Sequence, residues 1–169
     1  ITCLSVGHGQ AIAVSAAGNT NLLFDAGSIT VRDVGQKIVV PFLQRSGVSA
    51  LDAVCVSHGD LDHINTLVDV AACVRIERLL VNMDFLNSAE TASVEQNLCR
   101  DLSKFDIAPQ TITDFAVGDL QVRLLWPTPI AVNRLDLSEN DRSAVLLVEY
   151  ADRRMLLCGD IELYAQQEL

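Results

Sequence analysis

The sequence predicts an α+β layered domain, and three observations predict it. Short apolar and β-branched runs fall into two groups, one in the first half of the chain and one in the last third, with helical patterns between them. Half of the 169 residues are hydrophobic and only 20% are charged, a composition that buries a core rather than staying disordered. The chain has the length of one domain, residues 1–169, and shows no internal repeat or low-complexity tract.

The elements follow in order. Residues 2–6 and 11–15 read as strands on either side of Gly7-His8-Gly9. Ala17-Gly18-Asn19 is a turn signal and residues 22–25 are the next strand, so a hairpin is expected. Residues 41–45 read as a short helix, with Pro41 preset at its first turn and Gly47 past its end. Residues 53–56 form an unbroken apolar run, the kind of strand buried on both faces. Residues 63–73 are expected to be helical, residues 78–81 to be a second buried strand, and residues 93–105 to be an amphipathic helix. Strands then dominate, at residues 111–115, 120–126, 143–150 and 155–158. Ala151-Asp152-Arg153 turns the last two into a hairpin, and a helix is expected from Asp160 onward.

Composition also excludes functions. The formal net charge is −10 and no basic patch is visible, so the electrostatic grip that dominates phosphate-backbone binding is missing. A polyanionic substrate then requires divalent cations and local arginines to offset repulsion. The longest apolar runs are far too short to span a bilayer, and no N-terminal segment has the order of a signal peptide. The chain begins at Ile1 with a strand already under way, so it is expected to be a piece of a longer protein. The five cysteines show no CxxC spacing and lie mostly in apolar stretches, which reads as small core residues. Nothing in their spacing selects a disulfide.

Only three histidines exist, and two of them stand in His58-Gly59-Asp60-Leu61-Asp62-His63. This segment directly follows the buried strand at residues 53–56. Alternate residues of an extended loop point the same way, so His58, Asp60 and Asp62 can converge, with His63 added as a helix begins. Imidazole nitrogen and carboxylate oxygen suit Zn²⁺, Mn²⁺ or Fe²⁺. Two imidazoles and two carboxylates can divide between two ions, an arrangement that activates water and clamps phosphoryl oxygens. The competing account is a solvated loop whose Asp caps the following helix. Asp25, after Leu22-Leu23-Phe24, and Asp160, after residues 155–159, add two more carboxylates at the ends of apolar strands beside glycines.

Five ordered blocks give the sequence a resemblance to the metallo-β-lactamase superfamily, and more narrowly to the C-terminal domain of ComEC-type competence proteins. Residues 4–11, LSVGHGQA, resemble the family's opening DVGQGDA block, and residues 23–27, LFDAG, its first aspartate motif. Residues 56–63, VSHGDLDH, resemble its SHxDxDH block; residues 139–143, ENDRS, its NDxS strand; and residues 157–162, LCGDIE, its GDIE block. The resemblance implies a four-layer αβ/βα sandwich with metals at the sheet edges, C-terminally truncated because the superfamily's last histidine lies after the GD motif.

It also implies two divalent ions, Zn or Mn. His58 and Asp60 hold one, Asp62 and His63 the second, and Asp160 bridges both. Asp60 stands where the superfamily carries a second histidine. Asp25 orients a ligand from behind, and Asp62, His58 and Asp25 are the implied catalytic residues, with Asp62 taking a proton from the attacking water. The third-motif histidine is absent, and Asn140, Asp141 or Ser143 occupies its region. His8 stands where the family has glutamine, either facing the site or exposed on its loop, and Arg142 either meets a phosphate oxygen or is an exposed surface arginine.

The activity implied is hydrolysis of a DNA phosphodiester, in a soluble domain joined to the channel portion of a cytoplasmic-membrane DNA-uptake protein. Two rival expectations stand beside it. One is a metal-poor binding or structural domain that keeps the fold. The other is a hydrolase of small thioesters, lactones or lactams.

Overall fold

The computed structural model describes residues 1–91, 93–134 and 136–169, with the side chains of residues 88–93 outside the description. Strands β1 (Thr2–Cys3), β2 (Ile12–Ala16) and β3 (Thr20–Phe24) open the chain. A π-helical turn, Gly35–Val39, runs into α1 (Val40–Arg45), followed by β4 (Ala50–Leu51) and β5 (Ala53–Val56). Next come α2 (Leu61–Ile64), α3 (Leu67–Cys73), β6 (Arg75–Ile76), β7 (Leu79–Val81), α4 (Met83–Thr91) and α5 (Ser93–Leu102). The last part holds β8 (Pro109–Thr111), β9 (Phe115–Val117), β10 (Leu120–Trp126), α6 (Pro129–Val132), β11 (Val145–Tyr150), β12 (Arg153–Cys158) and α7 (Leu163–Glu168).

These strands form a six-stranded sheet in the order β1-β2-β3-β5-β7-β8, a four-stranded sheet in the order β12-β11-β10-β9 and a small parallel pair, β4-β6. The first is antiparallel as far as β3 and parallel from β3 to β8. The second is antiparallel throughout. Alternation along the central strands explains why both of their faces are buried. Leu22, Phe24, Ala53, Cys55 and Leu80 point toward the second sheet and meet Leu120, Val122, Leu146, Val148 and Leu157 there. Leu23, Val54, Val56, Leu79 and Val81 point the other way, onto Val40, Leu43, Leu67, Val70 and Leu102 of the helices. On the far face of the second sheet, Trp126 and Val145 pack against Ala131 of α6 and Ala165 of α7. The order helix, sheet, sheet, helix is the four-layer sandwich expected from the sequence.

Several expectations need correction. The strand expected at residues 111–115 is two strands in different sheets, because Ile112 drops into the core between them while Asp114 Oδ1 accepts from Leu124 N at 2.9 Å. The helix expected at residues 63–73 is two, α2 and α3, and α4 was not expected at all. Its start is marked by Asn82, whose Oδ1 accepts from Phe85 N at 2.8 Å. The cysteines are all free, and only Cys55 is fully buried; Cys3 and Cys73 are exposed. Burial, with the charge of Asp25 nearby, pushes the Cys55 thiol up to about 12, so it stays a protonated core thiol at neutral pH. Among the described residues, no helix is long and apolar enough to cross a membrane.

Candidate metal centre

The parallel strands β3 and β5 deliver Asp25 and Ser57-His58 to one edge of the six-stranded sheet, and β12 delivers Asp160 from the other sheet. Both Asp25 and Ser57 are fully buried, and His58 and His63 are 2% and 1% exposed. Short α2 then lifts Asp62 and His63 over the same edge. Its position is set by backbone bonds: Gln10 N donates to Asp62 O at 3.1 Å and Ala26 N to His63 O at 2.7 Å. Asp60 occupies the N-cap of α2 but makes no side-chain capping bond, which removes the solvated-cap account of this segment.

Asp25 organises the histidines. Its Oδ1 accepts from Ser57 N at 2.7 Å, and its Oδ2 accepts from Ser57 Oγ at 2.7 Å and from His63 Nδ1 at 2.9 Å. Having donated its only hydrogen to Asp25, the Ser57 hydroxyl accepts from His58 Nδ1 at 2.9 Å. Both Nδ1 atoms therefore carry the proton, and both Nε2 lone pairs are left free, with the ring centroids 4.2 Å apart. His58 Nε2 is buried without any hydrogen-bond partner. Burial, reinforced by the neighbouring His63, holds the His58 pKa below the ordinary histidine value, so it is a neutral donor. Burial also pushes His63 downward, but the hydrogen bond and charge of Asp25 outweigh it, and its pKa lies above the ordinary value.

Carboxylates face the free nitrogens. His58 Nε2 lies 3.4 Å from Asp60 Oδ2, and His63 Nε2 lies 3.4 Å from Asp160 Oδ1 and 4.0 Å from Asp62 Oδ2. Donor atoms of His58, His63 and Asp160 all fall within 4.8 Å of one another. The orphaned His58 Nε2 and this mixed nitrogen–oxygen set fit a divalent ion such as Zn²⁺ or Mn²⁺.

The other residues singled out in the sequence have different surroundings. Asp141 Oδ1 accepts from Glu162 N and Ala165 N, each at 3.1 Å, and so caps α7. The Asn140 carboxamide donates to Glu162 Oε1 at 3.3 Å. Ser143 Oγ is turned back on Asn140 O. Arg142 is not an exposed surface arginine: its side chain is 15% exposed and forms an ion pair with Asp84. Ser57 stands in the sequence only as one residue of the VSHGDLDH block, and its linking role has no local signal there. A groove of about 850 Å³ lined by Asn82, Thr111, Asp114 and Pro127 includes none of the metal-centre histidines or carboxylates.

Gly159 lets the second sheet approach. A Cβ there would sit 2.6 Å from Ser57 Cβ and 2.8 Å from Ser143 Cβ. Gly159→Ala is therefore expected to cost about 2–3 kcal/mol by overpacking, and to move Asp160 away from His63. Urea denaturation reads the first effect and a weaker metal titration the second; wild-type values in both would show that the contact relaxes freely.

The fold and this edge site together define a metallo-β-lactamase-type domain. The chain belongs to the β-lactamase superfamily: the family model described as Beta-lactamase superfamily domain matches residues 20–169. Among curated proteins it is 27% identical over 142 residues to ComE operon protein 3 of Bacillus subtilis (strain 168), covering 80% of this chain and 17% of that protein. It is 38% identical over 63 residues to Competence protein ComA of Neisseria gonorrhoeae, covering 37% of this chain and 8% of that protein. The chain thus spans less than a fifth of the length of either relative. Among solved structures, Zn(2+)-bound PqqB from Methylobacterium extorquens superposes with a TM-score of 0.58 at 20% identity, over 89% of this chain and 52% of that one. YhfI, a metallo-β-lactamase fold protein from Bacillus subtilis, gives 0.55 at 13% identity over 90% and 56%. These likenesses establish the fold.

Proposed function

We propose that this domain is a two-metal phosphodiesterase that cleaves DNA within a DNA-uptake protein. The observation that supports it most is the contrast between the two faces of the histidines. Their Nδ1 atoms are hydrogen-bonded at 2.9 Å, while their Nε2 atoms face carboxylates at 3.4 Å without a hydrogen bond to His58 Nε2. The spacing matches neighbouring ligands of one ion: with metal–donor bonds of about 2.1 Å, tetrahedral donors stand roughly 3.4 Å apart. The similarity to two competence proteins supports DNA as the substrate.

In this reading His58 and Asp60 would hold one ion and Asp62 and His63 the other, with Asp160 contributing a carboxylate to the same centre. Bound Zn²⁺ or Mn²⁺ supplies Lewis acidity, activates water and neutralises phosphoryl oxygens. The chain's own residues do the rest. Asp25 and Ser57 fix the imidazole tautomers, and Asp62, whose side chain is 12% exposed, accepts a proton at Oδ2 from the attacking water. The ions also offset the −10 net charge that otherwise repels a polyanion. Residues 1–169 act as one domain beside a membrane channel carried in the same polypeptide.

The test is metal content after dialysis, followed by cleavage of single-stranded DNA and of a small phosphodiester with Zn²⁺ or Mn²⁺. Wild type is expected to keep about two ions per chain. His58→Ala and His63→Ala are expected to lose metal and to fall to background cleavage. A wild type that binds no ion points instead to a structural or binding domain. Metal-dependent cleavage of a thioester or lactone, but not of DNA, points to a small-substrate hydrolase.

A further inference from the structure

We propose that His8 is a further metal ligand, joining Asp62 at the second ion; this rests on the two-metal reading above. His8 Nε2 lies 3.5 Å from Asp62 Oδ2. That separation is longer than a charge-assisted hydrogen bond, which runs about 2.7–2.9 Å. It belongs with His58–Asp60 and His63–Asp160, both at 3.4 Å, and is shorter than the His63–Asp62 separation of 4.0 Å. The one imidazole–carboxylate contact here that is a true hydrogen bond, His63 Nδ1 to Asp25 Oδ2, is 2.9 Å. All three histidines of the chain therefore present Nε2 to a carboxylate at the same ligand-like spacing.

The loop that carries His8 is held in place rather than free to swing. His8 N donates to Thr30 Oγ1 at 2.8 Å, and Ile29 N donates to His8 O at 2.9 Å. Two residues on, Gln10 N is bonded to Asp62 O, so the loop is tied to the backbone of the residue its imidazole faces. The His8 side chain is 66% exposed and Asp62 is 12% exposed, which places the pair at the solvent side of the site. Asp141 Oδ1 is already taken up at the start of α7, where it accepts from Glu162 N and Ala165 N. His8 supplies a third nitrogen donor from the opposite end of the chain.

The experiment titrates the whole chain with Co²⁺ and with Mn²⁺, comparing wild type with His8→Ala and His8→Gln. Affinity of each ion is read calorimetrically, and Co²⁺ coordination by its visible absorption. The expected result is an unchanged first ion, a second ion weakened at least about tenfold, and a Co²⁺ spectrum that loses one nitrogen donor in both variants. Because His8 is largely exposed, the metal-free melting temperature should stay at the wild-type value, which separates a ligand effect from a folding one. Two ions bound with wild-type affinity and spectrum in His8→Ala overturn this inference and leave the two-metal reading intact. A wild type that takes up only one ion, or none, overturns both.

Discussion

Asp25→Ala is expected to destabilise the metal-free protein by about 3–5 kcal/mol and to weaken metal binding by about 10–100-fold. The carboxylate is wholly buried and accepts three hydrogen bonds, from Ser57 N, Ser57 Oγ and His63 Nδ1. Alanine leaves all three donors unpaired in a site closed to water, at about 1–3 kcal/mol each before relaxation. The effect on metal comes through His63, which loses the partner that fixes its Nδ1 proton and so aims Nε2 at the ion. The backbone adds a small share, because Asp25 sits at φ +55°, a conformation that asparagine tolerates better than alanine. Asp25→Asn therefore separates the contributions: it keeps shape and backbone but offers one acceptor in place of two. The expected order of stability and of metal affinity is wild type, then Asp25→Asn, then Asp25→Ala, from urea denaturation and calorimetric titration. An alanine variant that binds metal like the wild type would show that Asp25 does not act through His63.

The same cluster shows what a sequence can and cannot display. The strand from Ala53 to Val56 and the block from His58 to His63 were legible, because an all-apolar run of four residues suits a two-faced buried strand and four metal-binding side chains, two histidines and two aspartates, follow at once. Asp25 and Asp160 were legible for the same reason, each closing an apolar strand. Ser57 was not, since one hydroxyl carries no periodic signal; its role exists only because β3 and β5 pair in parallel, bringing Asp25 level with it. The division of residues 111–115 between two sheets was hidden too. Both β8 and β9 suit a strand locally, and only the burial of Ile112 between the sheets separates them. Asp141 stands with Asn140 and Ser143 in the block that resembles the NDxS strand, and the bond from its carboxylate to Glu162 N, at a helix start 21 residues away, leaves no mark around position 141.

Arg142 marks the same limit, and replacing it gives the second large effect. Its guanidinium pairs with Asp84 at the first turn of α4, with side-chain exposures of 15% and 23%, and Nη1 donates to Arg134 O at 3.0 Å. The ion pair is in contact without a well-aligned hydrogen bond between Nε and Oδ2, so its strength is largely Coulombic. Arg142→Ala removes one partner and leaves the Asp84 carboxylate half-enclosed, at an expected cost of about 2–4 kcal/mol, below the fully buried case because solvent still reaches the pair. Asp84→Ala is expected to cost a similar amount. The double variant is expected to be less destabilised than the sum of the two, because no uncompensated charge remains. The turn that Arg142 closes also carries Asp141, and Ala144 N just beyond it donates to Ser57 O at 2.9 Å, so loosening it should weaken metal binding through Ser57. An arginine that contacted phosphate would behave differently: the alanine variant would keep its stability and show a raised KM for DNA with strong salt dependence. Denaturation and KM measured on the same variant therefore separate an internal ion pair from a substrate contact, and the first outcome is expected.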